Sequence, residues 1–399
     1  MRQRRLPARG AVAVAVGAAL LATACSGSDE QTVTETTPVS PAADASTEGG
    51  IAVAIENGLV VLDRETLEIL GEFDSEEFTR LNAVGDGRHV LVTTTGGFQV
   101  LDTATPELTD LVFEAETPAH VVRHHGKTVL YDDGTSNTVV FDTDALLTAD
   151  NALPATRMIP GDQAHHGVSI VLEDGTLLTT IGNADGRTGV RALDTDLHEV
   201  ARSEECPGVH GEGTAADEAV IFGCEDGALL YHDGEFEKFT APDEYGRMGN
   251  AYVSETSPLV VGDYKNDPDA EGYLLNMVAL IDTAARTYEA IELPDGIEYT
   301  WRGIARGPND QAYILATDGS IHVMDPATGE ITGKYPVISP WEGPAEWQNP
   351  HPAIVVDGDL GYVTEPANNT VHAVDLTTGE IVRSAELPDQ PNEIAVAVA

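Results

Sequence analysis

The decapeptide "IHVMDPATGE", residues 321–330, recurs as "VHAVDLTTGE" at residues 371–380. Each is an apolar strand that closes on an aspartate and turns through a glycine-containing corner. The same apolar run with a final Asp occurs as "LVVLD" at 59, "FQVLD" at 98, "TVVFD" at 138, "VRALD" at 190, "ALLYHD" at 228 and "VALID" at 278. Eight copies spaced by about 40 to 50 residues match the length of one four-stranded propeller blade. Two more strands joined by a tight turn precede each copy, as in "AIVVDGDLGYVTEP", and helical periodicity is absent throughout. The chain is expected to be all-β, a single closed β-propeller of eight four-stranded blades, or of seven if one copy is degenerate.

With the strands of a blade lettered A to D from the channel outward, the repeated motif is strand C. The segment "IAVAIENGLVVLDRETLEILGEF" at 51–73 supplies B, C and D of a blade but no A, whereas "PNEIAVAVA" at 391–399 supplies a lone A. Pairing the two closes the ring and removes the free sheet edges that favour aggregation.

The residues before the propeller point to export. Arg2, Arg4 and Arg5 precede the apolar run "AVAVAVGAALLATA", so residues 1–24 are expected to be a signal peptide. The ending "LATAC" resembles a bacterial lipobox, which makes Cys25 the lipidated first residue of a lipoprotein held on the cell membrane, extracytoplasmically. Residues 25–50, rich in Ser, Thr, Pro and acid, are expected to be a disordered tether, with the propeller spanning 51–399. In an oxidising compartment the remaining cysteines, Cys206 and Cys224, favour a disulfide. The other reading makes Cys206, His210 and Cys224 ligands of one zinc ion.

Charge excludes some partners. With 67 acidic residues against 21 basic ones, net −46, the surface repels nucleic acid and anionic lipid. Such acidity suits a saline habitat or the handling of cations. The signatures GxSxG, HExxH and GxxxxGK[ST] are missing, so no enzyme is expected.

The histidines carry the functional reading. In a propeller the first residues of all A strands collect at one mouth of the channel. Counting back from the A-to-B turns brings His120, His166, His210 and His351 to that mouth from blades 3, 4, 5 and 8, with His165 beside one of them. His124 and His125 belong at the opposite mouth or in the turn. Converging neutral imidazoles suit Zn2+, which takes three or four N or O ligands. Blades 3, 4 and 5 are consecutive, making His120, His166 and His210 the natural ligand set, with His351 across the channel. Glu212, two residues after His210, is expected as a carboxylate ligand or as a partner orienting an imidazole. Such a site should weaken below about pH 6.5 as imidazoles protonate. His89, His198, His232, His322 and His372 read as ordinary strand histidines. The acidic stretch 262–273 departs from EF-hand spacing. The loop "SPWEGPAEWQNP" at 339–350 is either a docking surface or packing for its own ring.

The export signal, "AHHGV", "CPGVHGEG" followed by "FGCEDG", and a late "PHP" together resemble the AztD family of periplasmic zinc metallochaperones, over roughly 51–399. The resemblance implies a zinc-binding propeller that hands Zn2+ to the solute-binding protein of a zinc ABC importer, and the propeller is expected to be a monomer. It implies His120, His166 and His210 as ligands and a Cys206–Cys224 disulfide. Family members from Gram-negative bacteria carry a histidine-bearing N-terminal segment, and the tether here has no histidine. Two alternatives use the same residues: a metal-dependent, lactonase-like hydrolase with Glu212 as base, and a propeller interaction module without metal.

Overall fold

The computed structural model describes residues 48–149 and 151–399. The signal peptide, the lipobox Cys25 and most of the tether lie outside the described residues. The strands form eight four-stranded sheets, the blade of Asp226–His232 accepting one extra short strand. In the first blade the C-terminal strand Ile394–Val396 is strand A. It pairs antiparallel with Ile51–Ile55, with Ile51 opposite Val396. The ring is thus closed by the pairing that the incomplete terminal segments require.

The recurring aspartate has a local structural cause. After strand C of blade 1 (Gly58–Leu62), Asp63 Oδ1 accepts the backbone N–H groups of Glu65 and Thr66 at 3.0 and 2.8 Å. Asp102, Asp282 and Asp375 repeat this with the amides two and three residues ahead. A short carboxylate capturing its own downstream amides makes the C-to-D corner.

Alternating apolar residues on both faces of each blade pack against the neighbouring blades. Between blades 4 and 5, Ile170, Leu178 and Val190 meet Val220, Phe222 and Leu229, all at most 1 % exposed. Burial of each such side chain contributes about 1.5–3 kcal/mol. Cys206 and Cys224 are bonded within this cluster, with Cα atoms 4.9 Å apart. The thiolate-ligand reading is therefore excluded, because both sulfurs are consumed.

Two cavities of ≈340 and ≈420 Å³ lie end to end along the A strands, sharing Leu81, Val121, Val122, Glu212, Val355 and Ile394 in their linings. They form the channel, with His120 lining one end and His124 the other.

A candidate metal centre at the channel mouth

Three consecutive blades build one constellation. Strand A of blade 3 (Pro118–His124) contributes His120, and the register of that strand shifts between Pro118 and Val121. His166 stands in the approach to strand A of blade 4 (Ser169–Val171), and His210 begins strand A of blade 5 (His210–Ala215). One nitrogen from each of the three lies within 4.8 Å of the others. The rings form a near-equilateral triangle, with centroids 5.1, 5.3 and 5.0 Å apart. His120 Nε2 and His166 Nε2 are 3.5 Å apart. Two ligands of a tetrahedral ion, each about 2.1 Å from it, lie about 3.4 Å apart.

Partners on the far side of two rings fix their aim. His166 Nδ1 donates to Asp133 Oδ2 at 2.6 Å, and His210 Nδ1 donates to the Gly249 carbonyl at 2.5 Å. Both Nε2 atoms are thereby left as acceptors, which is how metal-binding imidazoles are usually oriented. Gly167 permits the first arrangement, because a Cβ there would lie 2.2 Å from Thr180 Oγ1 and 2.6 Å from Tyr131 Oη. The Gly249 carbonyl is aimed by Asp263, which accepts the N–H groups of Gly249 and Asn250. Asp263 therefore faces inward to this corner and is not part of an acidic surface loop.

Burial pushes His120 well below the ordinary histidine value, and repulsion from His210 and His166 adds to the shift. His210 is lowered to about 3, chiefly by burial and against the opposing effect of its Gly249 hydrogen bond. These two imidazoles stay neutral at neutral pH. His166 remains exposed at the rim, so an ion held here keeps one accessible side.

The other expected ligands are placed elsewhere. His165 turns into the wedge between blades 3 and 4, where Nε2 meets Tyr131 Oη and Thr180 Oγ1, both at 3.1 Å, and Nδ1 meets Ser136 Oγ at 2.9 Å. With both nitrogens engaged it offers no ligand atom. His351 is 2 % exposed, hydrogen-bonds the Asn349 carbonyl through Nδ1 and packs against Trp301, apart from the three imidazoles. Glu212 is not among the converging groups. A bulge at Gly211, with φ 61°, interrupts the register between His210 and Glu212, so the two do not share a face as plain strand alternation predicts. Glu212 lines the channel, accepts from Thr214 Oγ1 and is pushed up to about 7 by burial. Glu212, the base of the hydrolase alternative, is thus not one of the groups gathered with the three imidazoles. In the 339–350 loop, Trp341 donates to the Ala316 carbonyl and Trp347 meets Phe78 edge-on, so both pack on the ring itself.

Asp133 and the Gly249 carbonyl were not legible in the sequence. Asp133 stands beside Asp132 in an ordinary turn, "YDDGTSN", and a carbonyl has no residue signature.

No family model matches the chain. It is 24 % identical over 303 residues to the zinc chaperone AztD of Citrobacter koseri, covering 74 % of this chain and 69 % of that protein. The solved structure of apo AztD from that organism superposes with a TM-score of 0.72 at 21 % identity, covering 86 % of this chain and 96 % of the other. The dihydro-heme d1 dehydrogenase NirN gives a TM-score of 0.60 at 14 % identity, over 90 % of this chain and 78 % of that one. These likenesses show the propeller fold, and the curated relative is named a chaperone rather than an enzyme.

Proposed function

We propose, from the resemblance of the chain to the AztD-type zinc chaperones, that it is an extracytoplasmic zinc metallochaperone whose cargo site is His120, His166 and His210. The observation that carries this reading is the convergence of three imidazoles from three blades at one mouth. The recipient is the solute-binding protein of a zinc ABC importer, and the propeller is a monomer tethered through a lipid on Cys25 near the permease. Three neutral nitrogens hold Zn2+ and leave a fourth position open. An incoming ligand can attach there before the imidazoles let go.

The test mixes zinc-loaded protein with an apo solute-binding protein of a zinc importer. Transfer should depend on acceptor concentration and run faster than release to a chelator. Equal rates would mean passive zinc binding and sink the chaperone role.

The lowered imidazole values also set the response to pH. Three ordinary imidazoles would lose about a thousandfold in affinity between pH 7.5 and 5.5. For a base whose value is depressed, protons compete only below the folded value, and for His210 that is about 3. With His120 and His210 neutral throughout this window, the loss should fall well short of a thousandfold. Competition against a chromophoric chelator at the two pH values measures it. A thousandfold loss would mean that the imidazoles titrate freely. This replaces the simple expectation of a site that fails just below pH 6.5.

A further inference from the structure

His120 and His124 stand toward opposite ends of one strand, Pro118–His124. Four residues of extended chain separate them by about 13 Å, so they do not share an ion. At the far mouth His124 meets His125 and Glu218, and one ligand atom from each lies within 4.8 Å of the others. His124 is buried, His125 is exposed, and their ring centroids are 4.5 Å apart. Glu218 comes from the A-to-B turn of blade 5 and reaches past blade 4 to put Oε1 2.8 Å from His124 Nε2. The Glu173 N–H of blade 4 donates to the same oxygen at 2.7 Å. Blades 3, 4 and 5, which build the first centre, thus also build this one.

The residue types are unusual for their backbone. His125 and Gly126 have φ of 41° and 68°, consecutive left-handed residues in a two-residue hairpin turn that favours Asn-Gly. The corresponding corners of blades 7 and 8 use Asn309, Asp310 and Gly358 at positive φ. Glu218 is itself at φ 53°. Two potential ligands therefore occupy conformations in which Asn or Gly is the easier residue.

We propose that His124, His125 and Glu218 form a second site for a divalent transition metal of the zinc class, at the opposite mouth from the first. Two imidazole nitrogens and one carboxylate oxygen, with an open position, suit such an ion. The His124–Glu218 pair needs to part by only about half an ångström when the ion replaces the proton between them. With His125 exposed and a left-handed backbone at two of its three ligands, the site should bind more weakly than the imidazole triad.

Equilibrium dialysis of the whole protein against Zn2+ tests this, with excess Ca2+ present to occupy surface carboxylates but not imidazoles. The parent should hold two ions per chain. His125→Asn should hold one, and Asn suits the turn, so folding is preserved. His166→Ala should also hold one, and the combined variant none. Glu218→Gln, leaving both histidines, should weaken the second ion by at least about tenfold. A His125→Asn protein that holds as many ions as the parent overturns the proposal and leaves the first site untouched. Loss of an ion in His125→Asn but not in His166→Ala would sustain this site and sink the first.

Discussion

Replacing His210 with alanine is expected to weaken the binding of Zn2+ by about a hundredfold or more. Structural zinc sites bind with about 10–16 kcal/mol from four ligands, so one ligand carries roughly 3 kcal/mol, and each 1.4 kcal/mol is a factor of ten. His210 has no substitute nearby. Glu212 is turned away by the bulge at Gly211, and both nitrogens of His165 are engaged. The Gly249 carbonyl, freed of its imidazole, is too far back in the wall to replace Nε2. Competition titration against a chelator gives the number, with His351→Ala as the comparison. That variant should bind as the parent does, because His351 is buried against Trp301 and outside the triad. If the alanine at 351 costs affinity and the one at 210 does not, the metal lies elsewhere on the propeller.

The contrast between His210 and its neighbours shows which parts of such a site a sequence carries. The strand-C motifs are legible because, at Asp63, Asp102, Asp282 and Asp375, a short carboxylate after an apolar strand makes its own turn with amides two and three residues ahead, a purely local cause. Ring closure is legible for a similar reason, since three strands at one end and one at the other form a blade only together. The gathering of His120, His166 and His210 follows from topology, which brings the starts of neighbouring A strands to one mouth. What topology leaves open is rotation about the strand. Adjacent His165 and His166 point apart, His165 held by Tyr131, Ser136 and Thr180 and His166 by Asp133, with the close approach at Gly167 permitting both. A single left-handed glycine, Gly211, separates Glu212 from its expected partner. The pairing of His124 with Glu218 spans two blades and reads from the sequence only once their turns are overlaid.

The disulfide should matter more to stability than to binding. Cys206 and Cys224 are 18 residues apart, and closing a loop of that size stabilises a protein by about 3 kcal/mol, mainly by restricting the unfolded chain. Replacing both with alanine avoids burying unpaired hydroxyls in a cluster where the two cysteines are 0 % exposed. For a chain of this size about 3 kcal/mol corresponds to roughly a 4 °C fall in Tm, readable by calorimetry. Reduction of the parent should reproduce it. The effect on zinc is expected to be smaller, about tenfold. His210 pairs directly with Gly223, next to Cys224, and is held from behind by the Gly249 carbonyl, so two backbone contacts still orient the ring when the sulfurs are gone. A double variant with the parent's Tm but the affinity of His210→Ala would reverse this assignment. The bridge would then serve to aim the ligand, and the blade 4–5 packing of Ile170, Val220 and Phe222 would suffice for the fold.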